Sequence, residues 1–362
     1  MVKKRDKSAA QTLATQARVV TAAAETSGDV LAQDHLYSAA DTLDRLARAE
    51  ARKASTQADP VLDLTAEATD QEVRAARQRR AVRRGLDIFL PSWTEATVGL
   101  PNALLRSALF AASAVSPGFL NNAKIASQGD TTLTMTGEGL TSYDRKCFAV
   151  CLDHYREGRP LSPGGDATWV RTTYYAFAAA LGLQYGPGVH RAIRASLLRL
   201  NGANLRVRVR RLNVPLPRLV EVAFDEEYMD GATPDEDLLG SDLVVFRVTE
   251  AMAALFGPED WTAVPKALLT DTAGLASWLS AFYATHRDPY VLPLNDLYTR
   301  SGVTCTRAEF RRILRTALAK LQARTDRATR VDRYAVTRDS IWVCLARWGH
   351  KEACPLELDE DI

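Results

Sequence analysis

The side chains with chemical potential in this sequence are mostly arginines, and they are patterned. Arg307, Arg311 and Arg315 fall at i, i+4 and i+8, with Arg312 beside them. On the other side of the same run lie Phe310, Leu314, Ala317 and Leu321. That spacing predicts an amphipathic helix with a basic face. A second such run sets Arg191, Arg194 and Arg199 against Val189, Ile193, Leu197 and Leu200. Directly after it, residues 205–210 alternate with period two, so Leu205, Val207 and Val209 share one strand face and Arg206, Arg208 and Arg210 the other. Arg333 and Arg338 add two cations near the end of the chain. A helix fits the ~12 Å major groove, where a guanidinium pairs with guanine, and strands add phosphate contacts. The chemistry implied is recognition of duplex DNA. An Arg-rich helix face is often only solvated surface, so the case rests on having two such helices, each followed by strand pattern and more arginine.

Catalytic readings fare worse. No Gly-x-x-x-x-Gly-Lys-Ser/Thr loop is present, which excludes a P-loop ATPase. Tyr174-Tyr175 would suit a nicking nucleophile, but that chemistry needs a His-paired metal, and His35, His154, His190, His286 and His350 are far apart. Cys147, Cys151 and His154 share one helical face without a fourth zinc ligand and read as core. The acids of 221–242 are too many and too close to Pro and Gly for a catalytic pair, and read as an exposed insertion. The expectation is no catalysis, no metal and no cofactor.

These arginines need elements to hold them. In the second half, Asp271 can cap a helix carrying Leu275, Trp278, Leu279 and Phe282. Pro289 and Pro293 break the chain, and a short helix with Leu297 and Tyr298, capped by Asn295, ends at Gly302. Thr306 and Glu309 form a capping box that opens the basic helix. Residues 334–336 and 341–343 then flank a Thr-Arg-Asp-Ser turn, a hairpin pattern. The first half repeats the plan more loosely. Leu133 and Met135 alternate with Thr. A helix opens near Thr141 and buries Phe148, Cys151, Leu152 and Tyr155; a second runs from Tyr174 to Leu181; the third is the basic one. The fold class expected is α+β and mostly helical: two tandem winged helix-turn-helix domains behind a poorly ordered, partly helical N-terminal tail. The expected division is a basic polar tail (1–84), a linker (85–125), a first winged-helix domain (126–220), an acidic insertion and strand connection (221–260), a second winged-helix domain (261–350) and an acidic tail (351–362).

The 362 residues suit two to three domains. The net charge of +2, from 46 Lys+Arg and 44 Asp+Glu, hides blocks. Residues 186–218 carry +8, 219–260 carry −11, and 300–347 carry +8. Residues 1–85 hold one aromatic, Tyr37, too little apolar mass to offset the entropy of folding. They end in an acid-free cluster of Arg74, Arg77, Arg79, Arg80, Arg83 and Arg84. No apolar run approaches the ~18 residues of a membrane span, and no signal-peptide core is seen. Five scattered Cys fit a reducing compartment. A cytoplasmic chain with no membrane partner is expected.

Two further stretches carry a family resemblance. The first comprises Leu86-Asp87-Ile88-Phe89, Pro91-Ser92-Trp93, Leu100-Pro101-Asn102 and the run from Arg106 to Phe110. The second comprises Phe282-Tyr283, His286-Arg287-Asp288-Pro289-Tyr290 and Leu292-Pro293-Leu294. With the two basic helices, residues 86–347 resemble the TrfA-type plasmid replication initiators. The resemblance implies a bacterial, plasmid-associated protein that binds direct repeats (iterons) in an origin as a monomer. It also implies help in opening adjacent AT-rich DNA with the host initiator, recruitment of the replicative helicase and sliding clamp, and homodimers that restrain copy number. The family's clamp peptide maps onto Leu86, Asp87, Ile88 and Phe89, with Gly85 where the family has Gln. The alternative for these side chains is to pin the tail to the first domain. Two other functions stay open: a winged-helix autorepressor without a replication role, and a structural partition or chromatin protein.

Overall fold

The computed structural model describes residues 3–26, 39–40, 42–43, 46–47, 88–113, 115–156, 159, 161, 168–209, 212–225, 234–257, 259–270, 273–349 and 354–356. The chain divides into two compact units, Met1–Thr69 and Asp70–Ile362. The first contains α1 (Lys3–Thr26), a run rich in Ala, Gln and Lys with no Pro or Gly to interrupt it. Its buried residues Ala17, Ala40 and Ala47 are small.

The second unit begins with β1 (Thr97–Pro101), α2 (Asn102–Leu105), β2 (Phe110–Ala111), β3 (Phe119–Ile125), β4 (Thr131–Glu138) and β5 (Leu140–Thr141). Then come α3 (Ser142–Asp153), β6 (Val170–Thr173), α4 (Tyr174–Ala180), α5 (Pro187–Gly202), β7 (Asn204–Val209), β8 (Leu212–Leu216), β9 (Glu221–Asp225) and β10 (Leu243–Arg247). The last part holds β11 (Trp261–Pro265), α6 (Lys266–Thr270), α7 (Gly274–Ala284), β12 (Val291–Pro293), α8 (Leu294–Ser301), α9 (Arg307–Gln322), β13 (Val331–Val336) and β14 (Ser340–Leu345).

This corrects the expected fold class. The architecture is α/β, not a mostly helical tandem of winged helix-turn-helix domains. Among the described residues five small sheets run through the unit: β1-β11, β2-β5, β3-β4-β7-β8, β6-β10-β9 and β12-β14-β13. The reason lies in long-range pairing. β1 pairs antiparallel with β11 from the far side of the sequence, Thr97 opposite Pro265. Residues 97–125, expected as linker, supply β1, β2 and β3, each hydrogen-bonded to a partner strand. Within the expected acidic insertion, β9 and β10 form a sheet with β6. Residues 205–209 are the expected strand, but they pair with β4 and β8 in a sheet separate from that of β6, β9 and β10.

An order of elements nevertheless recurs. Helix, strand, helix, helix, strand, strand describes α3-β6-α4-α5-β9-β10 and again α7-β12-α8-α9-β13-β14. In both, the first and second strands flank the third. The first run is interrupted by β7-β8. Each run has its own core. The first gathers Phe148, Tyr155, Tyr174, Phe177, Ile193, Leu197 and Phe246. The second gathers Trp278, Phe282, Phe310, Leu314, Leu318, Ile341 and Val343. α7 is buried on all sides; it carries no charged residue and only Ser277 and Ser280 as small polar ones. Its Ala281 and Ala284 join the first core, while Leu275, Trp278 and Phe282 join the second. The fully buried Arg145 of α3 donates to Ser277 O at 2.8 Å and Ser277 Oγ at 2.7 Å on α7. Burial lowers its guanidinium to about 10.

Caps set the helix ends. On α3, Thr141 and Asp144 make a full reciprocal capping box. On α9 only half of the expected box exists: Thr306 Oγ1 accepts from Glu309 N at 3.2 Å, while the Glu309 carboxylate turns to Arg312. Asp271, the expected cap of α7, lies outside the described residues. α8 begins at Leu294 rather than after Asn295. Gly302 ends it at φ +66°, where a Cβ would also come within 2.9 Å of the Ala111 side chain.

Candidate nucleic-acid interface

The two basic helices differ in what their arginines touch. α9 packs on α7 through Phe310, Leu314, Ala317, Leu318 and Leu321. That contact turns its arginines outward. Arg307 and Arg312 are exposed, Arg311 and Arg315 half-buried at the flanks. Arg312 binds Glu309 at 2.6 Å, an exposed pair that is worth little in water. Arg307 lies 5.8 Å over the Tyr298 ring. Among the described residues Arg311 and Arg315 make no ion pair or hydrogen bond, and Arg311 Nε is enclosed with no acceptor.

On α5 every arginine is engaged. Arg199 donates to Asp144 Oδ1 from Nη2 at 2.8 Å and Nε at 3.1 Å. Asp144 is fully buried and also accepts from Thr141 N and Oγ1. Arg199 is therefore part of the cap that opens α3. Arg194 sits 5.1 Å over Phe224 of β9. Arg191 Nη2 meets Asp235 Oδ1 at 2.5 Å. Three arginines read from sequence as DNA contacts are thus engaged by groups from distant segments: Arg199 by a buried carboxylate, Arg194 by a ring and Arg191 by an exposed carboxylate.

β7 presents a third basic surface. In the sheet β3-β4-β7-β8, Leu133, Met135, Leu205, Val207, Val214 and Leu216 are buried on one face. The other face is solvated. There Arg206 lies between Thr134 and Pro215, Arg208 lies between Thr132 and Asn213, and Lys124 pairs with Thr134. The acid on this face is Glu138, at the far end of β4. Among the described residues neither Arg206 nor Arg208 has a side-chain partner. Arg210 lies outside the described residues. Beyond α9, Arg338 is exposed in the β13–β14 turn and has no partner among the described residues, whereas Arg333 lies 5.5 Å over Trp342 with Asp332 beside it.

The other candidates resolve as follows. Ile88 O accepts from Leu161 N at 2.7 Å, Phe89 is half-buried and Leu90 buried. Ile88 is itself exposed, Leu90 joins the first core, and Leu86 and Asp87 lie outside the described residues. Tyr174 is buried and stacks on His190 at 3.6 Å, while Tyr175 is exposed. Cys147 and Cys151 are buried, and burial raises the Cys147 thiol to about 12. Among the described residues no group of three His, Cys, Asp or Glu is placed to hold a metal, and no helix is long and apolar enough to cross a membrane.

Sequence reasoning missed the clasp around the end of α7. Arg106 donates to Thr285 O at 2.6 Å and Thr285 Oγ1 at 2.8 Å, and Arg347 donates to Ala284 O at 2.9 Å. Two cations from opposite ends of the unit satisfy the orphan carbonyls there. His286 Nε2 faces Tyr290 Oη at 2.7 Å, and Gln128 donates to the same oxygen at 3.0 Å. Burial, then the nearby Arg106, lower the His286 imidazole to about 3. These residues line a groove of about 1030 Å³ with mixed charge. The visible signal was the compact His286–Tyr290 segment.

No family model matches this chain, and no curated protein matches it. Among solved structures it is similar to two of RctB domains 2–3. A selenomethionine derivative of domains 2 and 3 gives a TM-score of 0.44 at 10% identity, covering 68% of this chain and 97% of that one. A second structure of the same domains gives 0.42 at 11%, covering 66% and 95%. Likeness this distant identifies neither fold nor function.

Proposed function

We propose that this chain binds duplex DNA without catalysing a reaction, and that it does so as a plasmid replication initiator reading direct repeats in an origin. The observation that carries the DNA reading is the set of unpartnered arginines on ordered elements. Arg311 and Arg315 of α9, Arg206 and Arg208 of β7 and Arg338 spend no charge inside the protein. α9 is the element for the major groove, its Arg311 and Arg315 reaching the phosphates along the groove's edges, and the β7 face suits phosphates as well. Engaging about five phosphates gives a slope of roughly −4.5 in log affinity against log salt, a fall of roughly 10²–10³-fold between 50 and 200 mM. The initiator part rests on the sequence resemblance, as do helicase, clamp and host-initiator recruitment.

The test is maintenance in trans. A plasmid bearing the repeats that flank the gene, but lacking the gene, should persist only when the protein is supplied. Binding to those repeats without maintenance would favour the autorepressor; equal binding to any duplex would favour a partition or chromatin role.

A further inference from the structure

The connection between β9 and β10 spans residues 226–242 and carries seven acids and no base. Its described part, 234–242, runs beside α5. Asp235, Glu236 and Asp237 form one exposed 3-10 turn, and Asp235 takes the guanidinium of Arg191 at 2.5 Å. The turn is anchored. Leu238 is buried, and its carbonyl accepts from Tyr185 Oη at 3.0 Å. Tyr185 Oη also faces His190 Nδ1 of α5 at 3.0 Å. On the other side, Tyr175 N donates to Gly240 O at 2.9 Å and Tyr174 N to Asp242 O at 3.1 Å, which fastens the strand to α4. The same place in the second half is a short turn, residues 337–339, whose Arg338 is exposed.

We infer that this acidic connection is a built-in competitor for DNA at α5, a reading that deepens the DNA-binding function proposed above. The Asp235 carboxylate occupies Arg191 as a phosphate oxygen would. A duplex approaching α5 must displace that carboxylate and also meet the neighbouring acids. α5 is thereby closed to DNA at large. It opens only when α9 and β7 already hold the duplex and raise its local concentration. The device lowers nonspecific affinity more than specific affinity, which raises the ratio that matters among many competing sites. Both Asp235 and Arg191 are solvent-accessible, so the contact is weak enough to exchange.

The experiment compares the full-length chain with Asp235→Asn/Glu236→Gln/Asp237→Asn on a random-sequence duplex of about 30 base pairs, titrated against salt. The triple variant should bind roughly 5- to 20-fold tighter at about 0.1 M salt, with a slope steeper by about one for the phosphate that Arg191 gains. Adding Arg191→Ala should remove the steeper slope and most of the gain. An unchanged affinity overturns the inference, and so does an equal gain without Arg191, which would mean general charge alone. The single Asp235→Asn, at an exposed position, gives the same readout if the triple variant folds poorly. Should wild type bind while Asp235→Asn binds no tighter, only this inference falls. Should neither bind any duplex, the DNA-binding function falls with it.

Discussion

α5 and α9 are each 16 residues long and hold the same place in the order of elements of their halves. Both bury an apolar stripe and carry several arginines. In α5 those arginines are taken: Arg199 by buried Asp144, Arg194 by Phe224, Arg191 by Asp235. In α9 the partners are local and exposed, or absent. The count of arginines on a helix therefore says little about how many can meet DNA. What decides is which acids and rings the rest of the fold brings to them. α5 spends its cations on the cap of α3 and on an acidic connection, while α9 leaves Arg311 and Arg315 for a ligand.

If that contrast is right, the largest effect belongs to Arg199. Arg199→Ala leaves a buried carboxylate without its cation and should cost about 3–5 kcal/mol, read as a lower urea midpoint. A change under about 0.5 kcal/mol would show that Arg199 is no more committed than an exposed arginine.

Acid should also weaken the clasp at the end of α7. His286, beside Arg106 and Arg347, is neutral in the folded chain, with its folded value near 3 against 6.5 for the ordinary group. The unfolded chain binds the proton first. Stability from this site is therefore complete above about pH 6.5 and is lost as pH falls toward 3, by about 1.4 kcal/mol per pH unit. His286→Gln should flatten that part of the stability–pH curve; an unchanged curve contradicts the assignment.

A smaller change is expected on the sheet. Arg206→Ala/Arg208→Ala should weaken duplex binding roughly tenfold, equally for all sequences, and reduce the salt slope by about two. A sequence-dependent loss would make β7 a base reader instead. Smallest is the cap. Thr306→Ala should cost about 1 kcal/mol and leave the first half's core unaffected in hydrogen exchange.

The sequence showed the helices well, because periodicity is local. The stripe at Phe310, Leu314 and Leu321 and the hairpin strands at 334–336 and 341–343 appear where expected. It hid the sheets, because β1 finds β11 and β4 finds β7 only after folding. Even where period two was plain, at Leu205–Val209, nothing local named the partner strands. The same limit applies to the interface. Arginine types and helix faces were readable, but Asp144 and Asp235 reach Arg199 and Arg191 from other elements. Their capture of α5 could not be seen in a single run of residues.

The most direct test of the central claim is a salt titration of duplex binding with wild type and Arg311→Ala/Arg315→Ala. Both arginines are free in the structure, so folding should be unchanged. Wild type should show a slope of roughly −4.5, and the variant a slope shallower by about two with binding weaker by roughly 10²-fold at about 0.1 M salt. Equal affinity and equal slope in the two proteins would contradict α9 as the DNA-facing helix.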